Sequence, residues 1–202
     1  MVYIVGLGPG NKDYILSKAI STLEKSDVII GFKRLINDLD FIHKEKHIMS
    51  TLKETLEYIN KNGEDKIISL VASGDPTFFG VSEYIKRNYP GNVEVIPGIS
   101  SFQYLTCKLN KSWSMAFTGS VHGRDESFIE KVKKNKLSIW LTDNKNNATN
   151  LCIKLIQNNI NCKVIIGEYL SYENERILEG YPKDFINENF SDMAILVVEN
   201  QC

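Results

Sequence analysis

Apolar runs alternate with segments of helical periodicity along the first half of the chain. Val2–Val5 is an apolar run before a glycine turn, and Ile15–Lys25 repeats apolar residues at helical spacing. Further strands are predicted at residues 27–30, 47–49, 67–72 and 93–96, and helices at 52–62, 81–87 and from Ser100. Gly31 is predicted to end the second strand, and Gly63 is predicted to end the helix at residues 52–62. This alternation predicts a parallel sheet with helices on both faces.

The polar segment 109–112 has no apolar period and marks the predicted boundary between two domains, 1–110 and 111–202. In the second domain, strands are predicted at residues 115–118, 137–141, 164–166, 176–178 and 194–198. A helix is predicted at 150–157, with Leu151, Leu155 and Ile156 facing inward. The predicted fold class is α/β, with a mostly parallel N-terminal sheet and a mixed C-terminal sheet.

The charge balance argues against several classes of partner. The chain has 24 Lys and Arg against 25 Asp and Glu, so its formal net charge of -1 gives no general attraction to nucleic acid or to a membrane surface. No apolar run approaches the roughly eighteen residues that span a bilayer, and the first residues form no basic leader. A cytoplasmic protein that binds neither nucleic acid nor membrane is therefore expected.

The four cysteines form no C-x-x-C pair, and no histidine lies at metal-ligand spacing from them. Cys107 and Cys152 are predicted on apolar helix faces, where a free thiol acts as a small hydrophobic group. Reduced structural cysteines and no protein-bound metal are expected.

A first glycine turn, Gly6–Gly10, directly follows the first strand, where glycines let the backbone approach a ligand closely. A dinucleotide-binding motif would need a third glycine where Asn11 stands. It would also need an acidic residue after the second strand, where Gly31 stands. These departures argue against an NAD-dependent oxidoreductase, which stays open as an alternative from a different class of enzyme.

Two further turns follow the fourth and fifth strands, at Ser73–Gly80 and Pro97–Ser101. Ligands bind at the carboxyl ends of strands in open parallel sheets, and Asp75 offers a carboxylate there. Asp75 and the two serines of the third turn are also residue types that cap helices or form ordinary turns. From each turn alone, both interpretations stay open.

The three turns occur together and in order, as G-x-G-P-G from Gly6, G-D-P from Gly74 and P-G-x-S-S from Pro97. This conjunction resembles the tetrapyrrole methylase family, also called the class III methyltransferases, over the whole chain. The resemblance implies two α/β domains with the active-site cleft between them. It also implies a homodimer that binds S-adenosylmethionine in that cleft and acts on an anionic tetrapyrrole.

The resemblance also implies roles for individual residues. The residues expected to line the cofactor site are Gly74, Asp75, Phe78, Ser100, Ser101, Leu141, Thr142, Met193 and Ala194. The residues expected to face the substrate are Gly8, Pro9, Gly10, Lys33, Arg34 and Arg124. Cationic side chains suit a substrate that carries several carboxylates, and the fork of arginine suits them best.

Three segments, Gly31–Leu35, Ser120–Arg124 and Gly167–Tyr172 with Arg176 and Gly180, resemble enzymes that methylate C5 of a precorrin. His122 is then the candidate catalytic residue, because a histidine titrates near neutral pH; a loop histidine without chemistry is the alternative. Some relatives carry a fused domain that decarboxylates a side chain and methylates C15. Because the sequence stops at Cys202, we expect action at C5 alone and a separate enzyme for C15.

Several alternatives remain within and outside this family. A sibling that methylates another ring carbon shares the three cofactor turns, and only the segment around His122 favours C5. A sibling that methylates a protein on the way to diphthamide is a second alternative. A tetrapyrrole-binding module without catalysis is a third. The substrate can contain cobalt or be free of metal.

Overall fold

The computed structural model describes residues 1–121, 127–192 and 194–201. The chain divides into two compact units, Met1–Ser101 and Phe102–Cys202. The sequence places this division later, after residue 110. The difference arises because the helix that begins at Ser101 packs within the second unit, where Leu105 contacts the backbone at Gly167.

The first unit contains one five-stranded sheet in which each paired strand is parallel to its neighbour, as predicted. Its strands are β1 (Val2–Gly6), β2 (Val28–Phe32), β3 (Glu45–Met49), β4 (Ile68–Ala72) and β5 (Val93–Ile96). Their order across the sheet is β3-β2-β4-β1-β5, so the first strand lies between the last two.

Helices cover both faces of this sheet, and the alternation of side chains along β1 shows it. Val5 packs in one apolar cluster with Leu23, whereas Ile4 packs in another with Ile59. Successive side chains of a strand point to opposite faces, so the two clusters lie on opposite sides. The helices of this unit are α1 (Ser17–Lys25), α2 (Lys33–Asn37), α3 (Leu52–Asn62) and α4 (Ser82–Asn88), whereas nearly all of α5 (Ser101–Lys108) belongs to the second unit. A short 3-10 helix spans Lys12–Tyr14.

Helix α3 has the predicted bounds because both of its ends carry local signals. The hydroxyl of Thr51 accepts a hydrogen bond from the Glu54 amide at 3.1 Å, and the Glu54 carboxylate accepts one from the Ser50 amide at 2.7 Å. These reciprocal bonds satisfy amide groups that a helix start leaves without partners. The helix ends at Gly63, whose amide donates to the Ile59 carbonyl.

Over its described residues, the second unit contains a mixed five-stranded sheet, which confirms the predicted class. Its strands are β6 (Phe117–Ser120), β7 (Leu137–Leu141), β8 (Cys162–Glu168), β9 (Arg176–Gly180) and β10 (Ala194–Asn200), in the order β6-β7-β10-β8-β9. Only the β6–β7 pair is parallel among these described strands. Helices α6 (Phe128–Lys134) and α7 (Ala148–Gln157) and a 3-10 helix at Pro182–Phe185 complete the unit.

Most predicted strand bounds differ from the observed ones by one or two residues, and two of these differences have a clear physical cause. Gly31 does not end β2; it pairs with Ile48, and β2 continues to Phe32. The strand predicted from Met115 begins at Phe117 instead, because residues 113–116 form a turn closed by a hydrogen bond from the Ala116 amide to the Trp113 carbonyl. Met115 is 90% exposed in that turn.

Two predicted orientations on helices are also wrong. Ile156 is 43% exposed, because Leu151 and Leu155 already define the buried stripe of α7 and residue 156 lies outside it. Cys107 is exposed near the end of α5, whereas Cys152 is fully buried as expected. Within the described ranges, no helix is long and apolar enough to cross a membrane, and no three acidic, His or Cys side chains are grouped to share a metal ion.

Candidate functional site

The three glycine turns meet at the carboxyl edge of the first sheet. Because β1 lies between β4 and β5, the turns that follow these strands are neighbours. A Cβ atom on Gly6 would lie 2.6 Å from the Gly74 carbonyl oxygen and 2.7 Å from the Gly98 nitrogen. Neither distance is compatible with a side chain, so the turns pack backbone against backbone. We call Gly6, Gly74 and Gly98 the glycine junction.

A direct pair of hydrogen bonds ties the first turn to the second. The Gly74 amide donates to the Gly8 carbonyl at 2.8 Å, and the Gly8 amide donates to the Gly74 carbonyl at 3.4 Å. Both residues have left-handed backbone conformations, with φ of 79° at Gly8 and 61° at Gly74, which glycine adopts without strain. Gly8 and Pro9 are buried, and Gly10 is half-buried with φ of 150°. The first turn therefore presents mainly Gly10 and the exposed residues after it.

The turn after β4 holds Asp75 by only one of its two carboxylate oxygens. Oδ1 accepts hydrogen bonds from the Thr77 amide at 2.7 Å and the Thr77 hydroxyl at 2.6 Å. Oδ2 makes no hydrogen bond to the described residues. Asp75 thus stabilises its own turn rather than capping α4, which begins at Ser82.

Phe78 and Ser100 frame this turn. Phe78 is half-buried, and its ring lies edge-on to that of Phe79 at 4.8 Å between centroids. Phe79 has φ of 52°, an unusual conformation for an aromatic residue and one found at ligand sites. A Cβ atom placed on Gly74 would lie 3.4 Å from the Cα atom of buried Ser100. Ser101 is the first residue of α5. The third turn therefore packs directly on the second.

Two predicted substrate contacts lie where β2 ends at the same edge of the sheet. Lys33 and Arg34 form the first turn of α2. Lys33 is exposed, and the Arg34 guanidinium is 39% exposed and lies 3.6 Å from the Asp38 carboxylate. Both cations thus lie at this edge, and Arg34 is paired with an acidic neighbour there.

In the second unit, the predicted cofactor residues meet where β7 ends and β10 begins. The Thr142 hydroxyl donates to the Ala194 carbonyl at 2.8 Å, and both residues are buried. Leu141 is half-buried and pairs with Ile195. His122, Arg124 and Met193, to which the sequence also assigns roles, lie outside the described residues.

Sequence reasoning gives no role to an ion-pair network beside these residues. Glu168 is 5% exposed, and its Oε1 accepts a hydrogen bond from Arg176 Nε at 2.6 Å. Burial alone lowers the pKa of Arg176, but hydrogen bonds and charge interactions with Glu168 and Glu188 outweigh burial and raise it. The one sequence signal for this network is that the segment beginning at Gly167, together with Arg176, resembles the enzymes that methylate C5. That resemblance points to the residues but not to the contacts between them.

A second network closes the loop between β8 and β9. The Glu175 carboxylate accepts from the Ser171 amide at 2.7 Å and lies 3.4 Å from Lys108 Nζ. Burial raises the pKa of Glu175, but the Tyr104 hydroxyl, the Ser171 amide and Lys108 together lower it below the ordinary value. Tyr169 and Ser171 have φ of 49° and 70°, so this network holds a strained loop.

Comparison with known proteins agrees with this geometry. The sequence model of the Tetrapyrrole (Corrin/Porphyrin) Methylases matches residues 1–184. A probable cobalt-precorrin-7 C(5)-methyltransferase from Methanocaldococcus jannaschii is 32% identical over 211 residues, covering 98% of each chain.

Solved structures share the fold. The precorrin-6Y methylase of Archaeoglobus fulgidus superposes with a TM-score of 0.79 at 23% identity, covering 100% of this chain and 99% of that one. A uroporphyrin-III C-methyltransferase from Thermus thermophilus, solved in complex with S-adenosylhomocysteine, gives a TM-score of 0.80 at 18% identity, covering 98% of this chain and 96% of that one.

A parallel sheet whose carboxyl edge carries three joined glycine turns places this chain among the α/β proteins with open parallel sheets, a class whose ligands bind at that edge. The chain belongs to the tetrapyrrole (corrin/porphyrin) methylases. The family expected from the three turns is therefore confirmed.

Proposed function

We propose that this protein transfers the methyl group of S-adenosylmethionine to C5 of a cobalt-precorrin during cobalamin biosynthesis. The proposal depends on one observation, the glycine junction at the carboxyl edge of a parallel sheet in a chain of this family. The name of the Methanocaldococcus relative supports C5 as the position, and the S-adenosylhomocysteine complex of the Thermus structure supports the donor.

The residues that are present fit the donor by their chemistry. Asp75 keeps a carboxylate oxygen for a hydroxyl or ammonium group of the ligand. The backbone at Gly74 carries no side chain that would keep a ligand away. In the second unit, half-buried Leu141 offers an apolar contact of the kind that an adenine ring needs, and we assign neighbouring Ala194 to the same ring. We assign Phe78, Ser100, Ser101, Thr142 and Met193 to the same ligand.

The donor supplies a methyl group on a positively charged sulfonium. In the transfer, the bond from sulfur to methyl carbon breaks as the bond from the ring carbon forms, and the leaving thioether is neutral. Acid catalysis is therefore unnecessary, and the protein must chiefly hold the two reactants in line at about 3 Å. An electron-rich ring carbon attacks without a strong base, and we assign to His122 the proton that leaves afterwards or the orientation of the ring.

Cationic residues would hold the carboxylates of the substrate. Lys33 and Arg34 follow β2 at the same edge as the glycine junction, and we add Arg124 to them. Gly8, Pro9 and Gly10 would lie on the substrate side of the donor. Arginine can bind a carboxylate with two parallel hydrogen bonds, whereas lysine contributes a point charge.

We further propose a cytoplasmic homodimer that works beside a separate enzyme for methylation at C15 and decarboxylation. The homodimer is what the family resemblance implies. Sedimentation of the purified chain tests the dimer, because a monomer at assay concentration would contradict it.

The decisive experiment incubates purified protein with S-adenosylmethionine and the metal-free or cobalt-containing precursor. We expect the product to gain one methyl group, and NMR with a labelled methyl donor to place it at C5. A methyl group on another ring carbon would contradict C5 as the position of methylation but would leave the methyltransferase class unchanged. Tight binding of NAD by calorimetry, without a response to the methyl donor, would contradict the class.

A further inference from the structure

A buried carboxylate lies beside the residues that we assign to the adenine. Glu168 is the last residue of β8, pairs with Arg176 on one side and with Ala194 on the other, and is 5% exposed. Both of its oxygens are used: Oε1 accepts from Arg176 Nε at 2.6 Å, and Oε2 accepts from the Ser191 amide at 2.8 Å. The carboxylate therefore joins β9 to the chain that enters β10.

The guanidinium of Arg176 extends the same connection over three consecutive residues. Nη1 donates to the Glu188 carboxylate at 3.2 Å, and Nη2 donates to the Asn189 carbonyl at 3.1 Å. Its central carbon lies 5.0 Å from the centre of the Phe190 ring, in the arrangement of a cation–π contact. One side chain thus holds residues 188–190, while Glu168 holds Ser191.

This held segment leads directly into the proposed cofactor site. Ala194 begins β10, and its carbonyl accepts the hydrogen bond from Thr142. The backbone is therefore fixed before residue 193 by Arg176 and Glu168, and after it by Thr142.

We propose that Arg176 is a positioning residue, which holds residues 188–191 so that Ala194 lies where the adenosine part of the methyl donor requires it. This inference rests on the proposed function. Stability alone explains the ion pair poorly, because the Arg176 side chain is 38% exposed and ion pairs that reach solvent contribute little to stability. The planar fork of arginine explains it better, since it can contact Glu168, Glu188 and the Asn189 carbonyl together.

The main test is Arg176→Lys in the complete chain. Lysine keeps a positive charge for buried Glu168, but a single ammonium cannot also hold Glu188 and the Asn189 carbonyl. We expect the Kd for S-adenosylhomocysteine to rise about tenfold by calorimetry. The KM for S-adenosylmethionine should rise by the same factor, while kcat at saturating donor stays within about twofold, as expected when only donor binding is weakened.

Two further variants separate positioning from general stability. Glu188→Gln removes the negative charge beside the guanidinium at an exposed position and weakens that contact, since an amide oxygen can still accept. It leaves the Arg176–Glu168 pair intact, so it should fold and raise the Kd about two- to threefold. The matched control is Glu179→Gln, which breaks the exposed Lys163–Glu179 pair between the same two strands, and its Kd should equal that of wild type.

The outcomes distinguish the two proposals. Wild-type protein that fails to bind S-adenosylhomocysteine overturns the proposed function itself. If the wild type binds S-adenosylhomocysteine but Glu188→Gln binds it with the same affinity, only the positioning role is overturned. The same holds for unchanged affinity in Arg176→Lys, provided that this variant folds. A loss of melting temperature in Arg176→Lys without a rise in KM overturns it as well, because that pattern describes a purely structural ion pair.

Discussion

The backbones of Gly8 and Gly74 donate hydrogen bonds to each other, so two loops that leave parallel strands are joined as a short antiparallel bridge. Both residues have positive φ, and the Gly74 carbonyl also lies against Gly6 and Gly98. This part of the sheet edge is therefore built from main chain. Its shape depends on the absence of side chains at the glycine junction.

The first prediction concerns Gly98. In Gly98→Ala, the new Cβ would overlap the Gly74 carbonyl oxygen and lie 2.9 Å from the Gly6 carbonyl carbon. We expect a loss of about 1–3 kcal/mol in the free energy of unfolding, measured by urea denaturation, together with weaker binding of S-adenosylhomocysteine. Ser73→Ala, at an exposed position of the second turn, is the control and should change neither quantity. Normal affinity in Gly98→Ala would show that the junction does not shape the site.

The second prediction separates the two oxygens of Asp75. Asp75→Asn keeps an oxygen that can accept from Thr77, but it removes the negative charge and replaces the free oxygen with an amide. We expect a rise of about tenfold in the Kd for S-adenosylmethionine with little change in thermal stability, and a similar or larger rise in Asp75→Ala. Thr77→Ala removes one bond within the turn and keeps the carboxylate, so it should have a smaller effect. Unchanged affinity in Asp75→Ala would end the assignment of this turn.

The third prediction concerns substrate charge. Lys33→Ala should raise the KM for the corrin precursor about three- to tenfold and leave donor affinity unchanged, because Lys33 is an exposed cation at the carboxyl end of β2. Arg124→Ala should act in the same sense. Lys25→Ala alters an exposed lysine that precedes the same strand, and it should leave the KM unchanged. The effect of Lys33 should weaken as salt is raised, since exposed charges are screened.

The fourth prediction follows from the lowered pKa of Glu175. Folding lowers the pKa of this carboxyl group, so the group stabilises the folded protein when the pH is above its ordinary pKa of 4.5. This contribution is lost as the pH falls through the lowered pKa. Glu175→Gln should therefore be less stable than wild type at pH 7. The difference should shrink as the pH falls below 4.5, measured by urea denaturation across that range. Glu173→Gln, at an exposed position of the same loop, should show no such convergence.

The fifth prediction compares two thiols. Burial, and secondarily the charge of Cys162, raise the pKa of Cys152 to about 12, so the reactive thiolate is scarce at pH 8. Cys107 is exposed. Brief alkylation of native protein followed by peptide mass mapping should label Cys107 and spare Cys152, which should react only after unfolding. Equal labelling in the native state would contradict the burial of Cys152.

Local signals in the sequence predict local structure well. Helix α3 has the expected bounds because Thr51 and Gly63 are signals read within a few residues. The parallel sheet follows from the alternation of strand and helix, and the order of the three glycine turns predicts the family. In each case the physical cause lies close along the chain or repeats regularly along it.

Contacts between distant residues explain what the sequence does not predict. Gly31 is a residue type typical of strand ends, yet it pairs with Ile48 and β2 continues past it. Ser191 lies 23 residues from Glu168, and the periodicity of neither segment indicates that bond. Side-chain partners of this kind depend on the register of strands, which forms only when the sheet does.

The position of β1 between β4 and β5 has a consequence for synthesis of the protein. Val2 pairs with Ile68 and with Val93, so β1 leaves the ribosome long before either of the strands with which it pairs. Pairing over such separations is slow, and the unpaired strand is exposed to association with other chains meanwhile. The nascent protein therefore completes the carboxyl edge of its first sheet at one late stage, when the segment that ends at Ser101 emerges, rather than by gradual assembly.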